Sequence, residues 1–328
     1  MGPLRFVPLR LALPALVLGA LVTVVGGCEK EVDPPDYTTL PPGQNPNTSG
    51  GTKPDGGTSS DGGVTQEASA RPLLRLLAPA SNYAVQTRSQ VATNSVPSEA
   101  SGLGSSGHVV TAAALGTDGL SLVGVKEFGS GRVFETNVRT GDTEAELQAA
   151  ALSLAEAGYL VTAVAPGTTG YSVVGVRQVD ASERVAVRVR KVSAVSEVYA
   201  AANQLGGAGF GVTALAKGPG GFVLVGTQLG GSTGAYAAST RLVLSSELQA
   251  AVTALSGDGH VITGLAYDND YALVLGIKPA GATRTYASSV LETSVGGLYS
   301  NASSLASQGY MVTAMGFDGT NYRLVGIR

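Results

Sequence analysis

The clearest pattern of hydrophobic and polar positions lies near the middle of the chain, in "TEAELQAAALSLAEAG". Leu147, Ala151 and Leu154 follow one another at i, i+4 and i+7, which places them on one face of a helix. Thr143 and Glu146 have the spacing of a capping box, and a glycine follows the last turn, as a C-terminal cap would. The pattern therefore predicts a helix of about four turns with one buried face.

The segments around this helix carry the patterns of strands. "YLVTAVA" is apolar on both faces, which is typical of a strand buried on both sides. "PGTTG" predicts a turn and "YSVVGVR" a return strand, so the two runs form a hairpin. Ahead of the helix, "FETNVR" alternates between apolar and polar residues. The predicted unit is strand–helix–strand–strand, with the helix on one face of a small mixed sheet and a right-handed crossover.

This unit recurs five times. Each copy has a glycine followed by an aromatic residue or histidine, at spacings of 51, 51, 50 and 50: Gly107-His108, Gly158-Tyr159, Gly209-Phe210, Gly259-His260 and Gly309-Tyr310. Seventeen residues after each of these glycines stands another: Gly124, Gly175, Gly226, Gly276 and Gly326. A fixed period near 50 residues marks a tandem repeat. The sequence thus predicts an α/β (α+β) fold of five βαββ modules, at about residues 82–126, 133–177, 184–228, 235–278 and 284–328.

The helix of the first copy is the weakest of the five. Its segment, "VPSEASGLGSSG", contains Gly102 and Gly104, each about 1 kcal/mol less favourable in a helix than Ala. The apolar register nevertheless continues through Val96, Ala100 and Leu103. We therefore interpret the segment as a degraded copy of the same helix.

The repeated unit resembles a small bacterial domain family whose pattern is a strand, a helix, a Gly-Trp pair and a hairpin that ends in a basic residue. The resemblance covers all five copies, with Tyr, Phe or His in place of Trp. It implies the fold of the unit and carries no activity.

Three arrangements of the copies remain open. One is a closed five-fold toroid, because the number and size of the modules are similar to those of pentein-type α/β propellers. The others are an open array and a string of nearly independent units. The connections between copies, such as "QVDASER" and "EFGSGR", are short, which argues against independent units. A single unit buries too little surface to be stable alone, which favours stacking.

The N-terminal residues indicate export and anchoring. Arg5 and Arg10 precede an apolar stretch, "LALPALVLGALVTVV", that is short for a transmembrane helix but typical of a secretory signal. "VGGC" then resembles the lipobox of bacterial lipoproteins. That resemblance implies a signal peptide at residues 1–27, a lipid on Cys28 and a place in the bacterial cell envelope, on the outer membrane. Because Cys28 is the only cysteine, the chain forms no internal disulfide.

A tether and the repeat domain follow Cys28. Residues 28–76 are rich in Pro, Gly, Ser, Thr and Asp, a composition that does not support a packed core. Such a tether reaches roughly 35 Å. The repeat domain is predicted at residues 77–328. The net charge of −3 gives no reason to expect a nucleic-acid partner, which would need clustered Lys and Arg.

Two repeated sets of polar residues are candidates for function. A threonine follows each Gly-aromatic pair inside an apolar strand, and in a toroid these residues would form an axial belt of hydroxyls: Thr111, Thr162, Thr213, Thr263 and Thr313. A backbone hydrogen bond or simple strand propensity is the plainer explanation. Basic residues end the first and third strands of most copies: Arg88, Arg139, Arg190, Arg241, Lys126, Arg177, Lys278 and Arg328. They are candidates for binding an anionic glycan or lipid, or for protecting strand edges from aggregation.

No pattern of catalytic or cofactor-binding residues emerges. His108 and His260 occupy the aromatic position of the repeat, so we interpret them as fillers of that position. No cluster has the spacing of a metal site, and the acidic turn Asp268–Asp270 supplies too few oxygens for Ca²⁺. The sequence therefore predicts no metal, no cofactor and no enzymatic activity, and a binding or structural role toward an unknown protein or glycan. The alternative is an extracytoplasmic hydrolase with a site at the centre of a ring or between copies.

Overall fold

The computed structural model describes residues 82–167, 170–179, 184–230 and 234–328. The predicted signal peptide (1–27), Cys28 and the predicted tether (28–76) lie outside these residues. Within the described ranges, no helix is long and apolar enough to cross a membrane.

The predicted order of elements is confirmed in all five copies. The first strands are β1 (Tyr83–Val91), β4 (Phe134–Gly141), β7 (Val185–Val192), β10 (Tyr236–Leu244) and β13 (Ser288–Thr293). The helices are α1 (Val96–Ser105), α2 (Glu144–Glu156), α3 (Val195–Gly207), α4 (Leu248–Gly257) and α5 (Leu298–Ser307). The second strands are β2 (Val109–Gly116), β5 (Leu160–Pro166), β8 (Gly211–Gly218), β11 (Val261–Asp268) and β14 (Met311–Phe317). The third strands are β3 (Gly119–Glu127), β6 (Tyr171–Gln178), β9 (Gly221–Leu229), β12 (Tyr271–Pro279) and β15 (Tyr322–Ile327).

Each copy forms its own three-stranded sheet, with the third strand between the first and the second. In the second copy, Phe134 pairs with Gln178 and Leu160 pairs with Val176, and both pairings are antiparallel. The expectation of a mixed sheet is therefore wrong. The return strand of the hairpin inserts between the two strands that run in the same direction, so these two strands do not pair with each other.

The helices form as their apolar register predicts. At the start of α2, Thr143 Oγ1 accepts a hydrogen bond from the Glu146 amide at 3.2 Å, and the Glu146 carboxylate accepts one from the Thr143 amide at 3.1 Å. The weak segment of the first copy is also helical, as α1. Its Gly104 packs against the next copy, because a Cβ there would lie 3.0 Å from the carbonyl oxygen of Phe134.

The two repeated glycines have different structural reasons. The first, at the helix C-terminus, has φ between +79° and +87° in every copy, a left-handed conformation that favours glycine. The second, in the third strand, leaves room for the aromatic residue or histidine. A Cβ on Gly175, for example, would lie 2.9 Å from the Cβ of Tyr159 and 3.2 Å from the methyl groups of Leu154.

Neighbouring copies pack helix against strand. The helix of each copy contacts the first strand of the next, which is an edge strand of its sheet. Gln148 of α2 donates to the Val187 carbonyl at 3.2 Å and accepts from the Val189 amide at 2.8 Å. Gln249 of α4 accepts from the Val290 amide at 2.8 Å. These side-chain amides satisfy backbone groups that an edge strand leaves unpaired.

The fifth copy contacts the first as the other neighbours contact one another. Helix α5 packs against β1, and Leu298 and Leu305 share a hydrophobic cluster with Tyr83. The hydroxyls of Ser121 and Tyr322 are joined by a hydrogen bond of 3.0 Å. The second strands also contact one another in sequence, from β2 through β5, β8, β11 and β14, and β14 contacts β2.

Candidate functional site

The repeated threonine marks a β-bulge in every second strand. The pairing register with the third strand shifts by one residue at Thr111, Thr162, Thr213, Thr263 and Thr313. All five side chains are buried, with 1–5% of their surface exposed. A bulge re-aims the side chains that follow it and interrupts further strand pairing. The second strands therefore approach one another through their side chains.

Four of these threonines line one small cavity between the second strands. This threonine cavity has a volume of about 10 Å³ and is lined by Thr111, Thr162, Thr263 and Thr313 together with the residues that follow them. The four hydroxyls make no hydrogen bond to the protein within its described part. The hydroxyl of Thr213 instead donates to the Val161 carbonyl of the preceding copy at 2.7 Å. The sequence-predicted set is thus brought together with one exception.

A second, larger cavity lies at the C-terminal ends of the second strands. This rim cavity has a volume of about 150 Å³ and shares Ala113, Leu215, Leu265 and Met315 with the threonine cavity. The position four residues after each threonine, called here the rim position, lines it in all five copies. The rim residues are Leu115, Pro166, Lys217, Tyr267 and Phe317.

Two polar side chains, Lys217 and Tyr267, line the rim cavity. Lys217 Nζ is 2.5 Å from Asp268 Oδ1, and both side chains are about one-third exposed. Burial raises the pKa of the Tyr267 hydroxyl, which therefore stays protonated at neutral pH. The Phe317 ring lies 4.9 Å from the ring of Tyr322. Tyr267 and Phe317 thus place aromatic rings beside the Lys217–Asp268 pair, and a second ion pair, Arg323–Asp318 at 3.2 Å, lies near Tyr267.

The basic residues that end the third strands contact the C-termini of their own helices. Arg177 donates to the Ala157 carbonyl at 2.8 Å, Lys278 to the Asp258 carbonyl at 2.9 Å and Arg328 to the Gln308 carbonyl at 2.9 Å; Lys126 makes the same contact with Ser106 at 3.3 Å. A cation at a helix C-terminus also interacts favourably with the helix dipole. These contacts give the four residues a structural role, and anion binding by them stays a prediction.

The basic residues of the first strands lie farther along the sheet. Arg88 pairs in register with Leu122, whereas Lys126 pairs with Ala84, so the two series are about 13 Å apart along the strands. Arg88 forms an ion pair with Glu99 at 2.9 Å and Arg190 one with Glu144 at 3.4 Å. Arg139 and Arg241 are exposed. The structure therefore does not gather the eight predicted residues into one cluster.

The histidines occupy the aromatic position of the repeat, as expected. Burial, helped by nearby Lys126, lowers the pKa of His108 to about 4. Burial also lowers the pKa of His260, next to Lys278. Both rings are thus neutral at pH 7. They precede the second strands, roughly 20 Å along the chain direction from the rim cavity at the other end of those strands.

The described ranges contain no group of three or more His, Cys, Asp or Glu side chains that could hold a metal ion. The acidic turns have other contacts. Asp268 pairs with Lys217, and Asp318 accepts hydrogen bonds from the amides of Thr320 and Asn321 at 2.9 and 2.7 Å.

Sequence reasoning did not find the rim residues. A search for repeated residues cannot find them, because the rim position holds a different residue in every copy. Aligning the copies on their threonines would have exposed this difference. Compared with protein-family models and with curated proteins, the chain gives no match.

Proposed function

We propose that the protein is a lipid-anchored cell-envelope protein whose five repeats close into a toroid and act by binding, not by catalysis. The observation that carries the binding role is the rim position. All five copies contribute this position to one cavity, and each copy supplies a different residue. The ligand is a small molecule, or a group on a protein or glycan partner, that enters this cavity.

The contacts between the first and fifth copies support closure. The α5–β1 and β14–β2 contacts repeat the contacts of α1 with β4 and of β2 with β5. The hydrogen bond between Ser121 and Tyr322 adds a polar link. An open array would leave the first strand of one terminal copy without a covering helix, exposing an edge that favours aggregation.

A binding role agrees better with the cavity than catalysis does. Neither neutral histidine lies near the rim cavity, so neither is placed to activate a nucleophile there. The alternative, an extracytoplasmic hydrolase, is favoured by Lys217 and Tyr267, which both line the rim cavity, and by the pairing of Lys217 with Asp268. Hydrolysis of ester, peptide or phosphate substrates that is lost in Lys217→Met would establish this alternative.

The anchor is proposed from the lipobox-like "VGGC" and the length of the tether. Each buried methylene of an acyl chain contributes about 0.8 kcal/mol, and stable anchoring takes more than one chain. In the native host, Cys28→Ser is expected to move the protein from the membrane fraction to the soluble fraction and to remove the lipid mass. A Ser49→Ala change in the predicted tether serves as the control. Unchanged fractionation of Cys28→Ser, without lipid on the wild-type protein, would refute the anchor.

A further inference from the structure

We propose that the rim cavity binds a single small aromatic ring that carries one polar substituent. The inference deepens the proposed binding role and rests on it, but it does not depend on the lipid anchor. It follows from four features of the cavity: its asymmetry, its size, its aromatic walls and the placement of its polar groups.

The rim position holds a different residue in each copy, unlike the positions that determine the local fold of the repeat. The bulge threonine and both glycines are the same residue in every copy, because each copy needs them for the same local fold. The rim position lies in the same strand, four residues on, yet it holds Leu, Pro, Lys, Tyr and Phe. A site made of five equivalent positions with five different side chains fits a ligand that has no five-fold symmetry. The apolar position two residues earlier also varies, but only among apolar residues, whereas the rim position includes Lys and Tyr.

A small residue, Ala113, lines the rim cavity at a position where the other copies have larger residues. Two positions after the threonines, the copies hold Ala113, Val164, Leu215, Leu265 and Met315. Ala113 is the smallest of these, and it is partly exposed although Ala112 and Ala114 on either side of it are buried. The space of about 150 Å³ is large enough for a ring of the size of benzene, and it is partly open to solvent. A larger side chain at residue 113 would occupy this space.

The walls favour an aromatic ring over other apolar groups. Tyr267 and Phe317 come from adjacent copies and line the same cavity. Aromatic rings prefer offset or edge-to-face contacts with such side chains, and the thioether of Met315 also interacts favourably with ring edges.

The Lys217–Asp268 pair fixes the orientation of the ligand. Lys217 lines the cavity, Asp268 pairs with it, and both side chains are about one-third exposed. The ammonium can donate to a hydroxyl or carboxylate on the ring, and the carboxylate can accept from a hydroxyl. A ligand whose ring lies in the apolar part of the cavity and whose polar substituent faces this pair would contact both the apolar and the polar groups of the site.

Phenol is the simplest probe that has an aromatic ring and one polar substituent. We suggest titrating phenol into the isotope-labelled full chain carrying Cys28→Ser, which alters no described residue, and following the amide signals by NMR. We expect saturable binding at ~1 mM or tighter, with shifts concentrated at the four rim residues that have an amide N–H, Leu115, Lys217, Tyr267 and Phe317. Ala113→Leu should weaken phenol binding by about tenfold or more, because it fills the cavity. The fold should tolerate this change, since the third and fourth copies have leucine at the equivalent position.

The control is Ala254→Leu, a matched change at an exposed helix position. It should leave phenol binding unchanged, and thermal unfolding of both variants reports on the fold. Phenol binding that survives in a folded Ala113→Leu protein would overturn the proposed site. If N-acetylglucosamine shifts the rim signals and phenol does not, the aromatic inference is wrong while the proposed binding role stands. If neither probe shifts them, the inference and the binding role at this cavity both fail.

Discussion

Replacing Gly175 by alanine tests why the second glycine recurs in every copy. The new Cβ would lie 2.9 Å from the Cβ of Tyr159 and 3.2 Å from both methyl groups of Leu154. Carbon atoms at optimal separation are about 3.5–4.0 Å apart. Gly175 and Leu154 are fully buried in a sheet and a helix, so relief requires a shift of backbone or an off-rotamer side chain. Overpacking of this kind destabilises a protein by about 1–3 kcal/mol.

Thermal unfolding monitored by circular dichroism measures this effect. For a domain of this size, 1 kcal/mol corresponds to roughly 2–4 °C in Tm, so Gly175→Ala should lower Tm by about 2–12 °C. Gly207→Ala is the matched control: this glycine ends α3, is exposed, and a Cβ there meets no atom within 4 Å. The control should leave Tm unchanged or raise it slightly, because alanine favours the helix. Equal Tm values for the two variants would refute the steric reasoning.

Three further predictions concern the bulge, the histidine position and the helix C-termini. Thr213→Val should lower stability by about 0.5–1.5 kcal/mol in urea unfolding, because it removes the hydrogen bond to Val161, whereas Thr213→Ser should retain most of it. His108 should stay neutral in an NMR titration until the pH approaches its folded pKa of about 4. Because the unfolded chain binds that proton near pH 6.5, the stability contributed by the neutral ring is complete above pH 6.5 and is lost as the pH falls toward 4. His108→Tyr should remove this part of the pH dependence, and titration of His108 near 6.5 would contradict the burial. Arg177→Met should cost about 1 kcal/mol, because it removes the contacts with the α2 C-terminus, the Glu135 carboxylate and the Tyr159 ring. Arg139→Met at an exposed site should cost less than about 0.5 kcal/mol, and equal losses would contradict the structural role of Arg177.

The unit of the fold was readable from the sequence because its determinants are local and repeated. Leu147, Ala151 and Leu154 define a helix face without reference to the rest of the chain. The order of strands within the sheet was not readable in the same way. A mixed sheet and the observed antiparallel sheet have the same alternation of apolar residues, and only the position of the third strand separates them.

The candidate site was only partly predictable. The repeated threonines stand out because the same apolar strand contains a polar residue at the same place in every copy. The bulge that positions them depends on pairing with the third strand, which the sequence does not show. The terminal basic residues suggested anion binding because sequence does not show that Arg177 reaches Ala157, 20 positions earlier. The rim residues carried no periodic signal at all, and they became a group only through the cavity that they share.

Closure of the five copies is tested most directly by distances between spin labels. The last residues of α1, α2 and α5 are Ser105, Glu156 and Ser307, which occupy equivalent exposed positions. Cysteine labels at these sites, in the Cys28→Ser chain, allow pulsed dipolar measurements. A toroid predicts that the distance from 105 to 307 matches the distance from 105 to 156, because the first copy then has the second and the fifth as its neighbours. A distance from 105 to 307 several times longer would contradict closure.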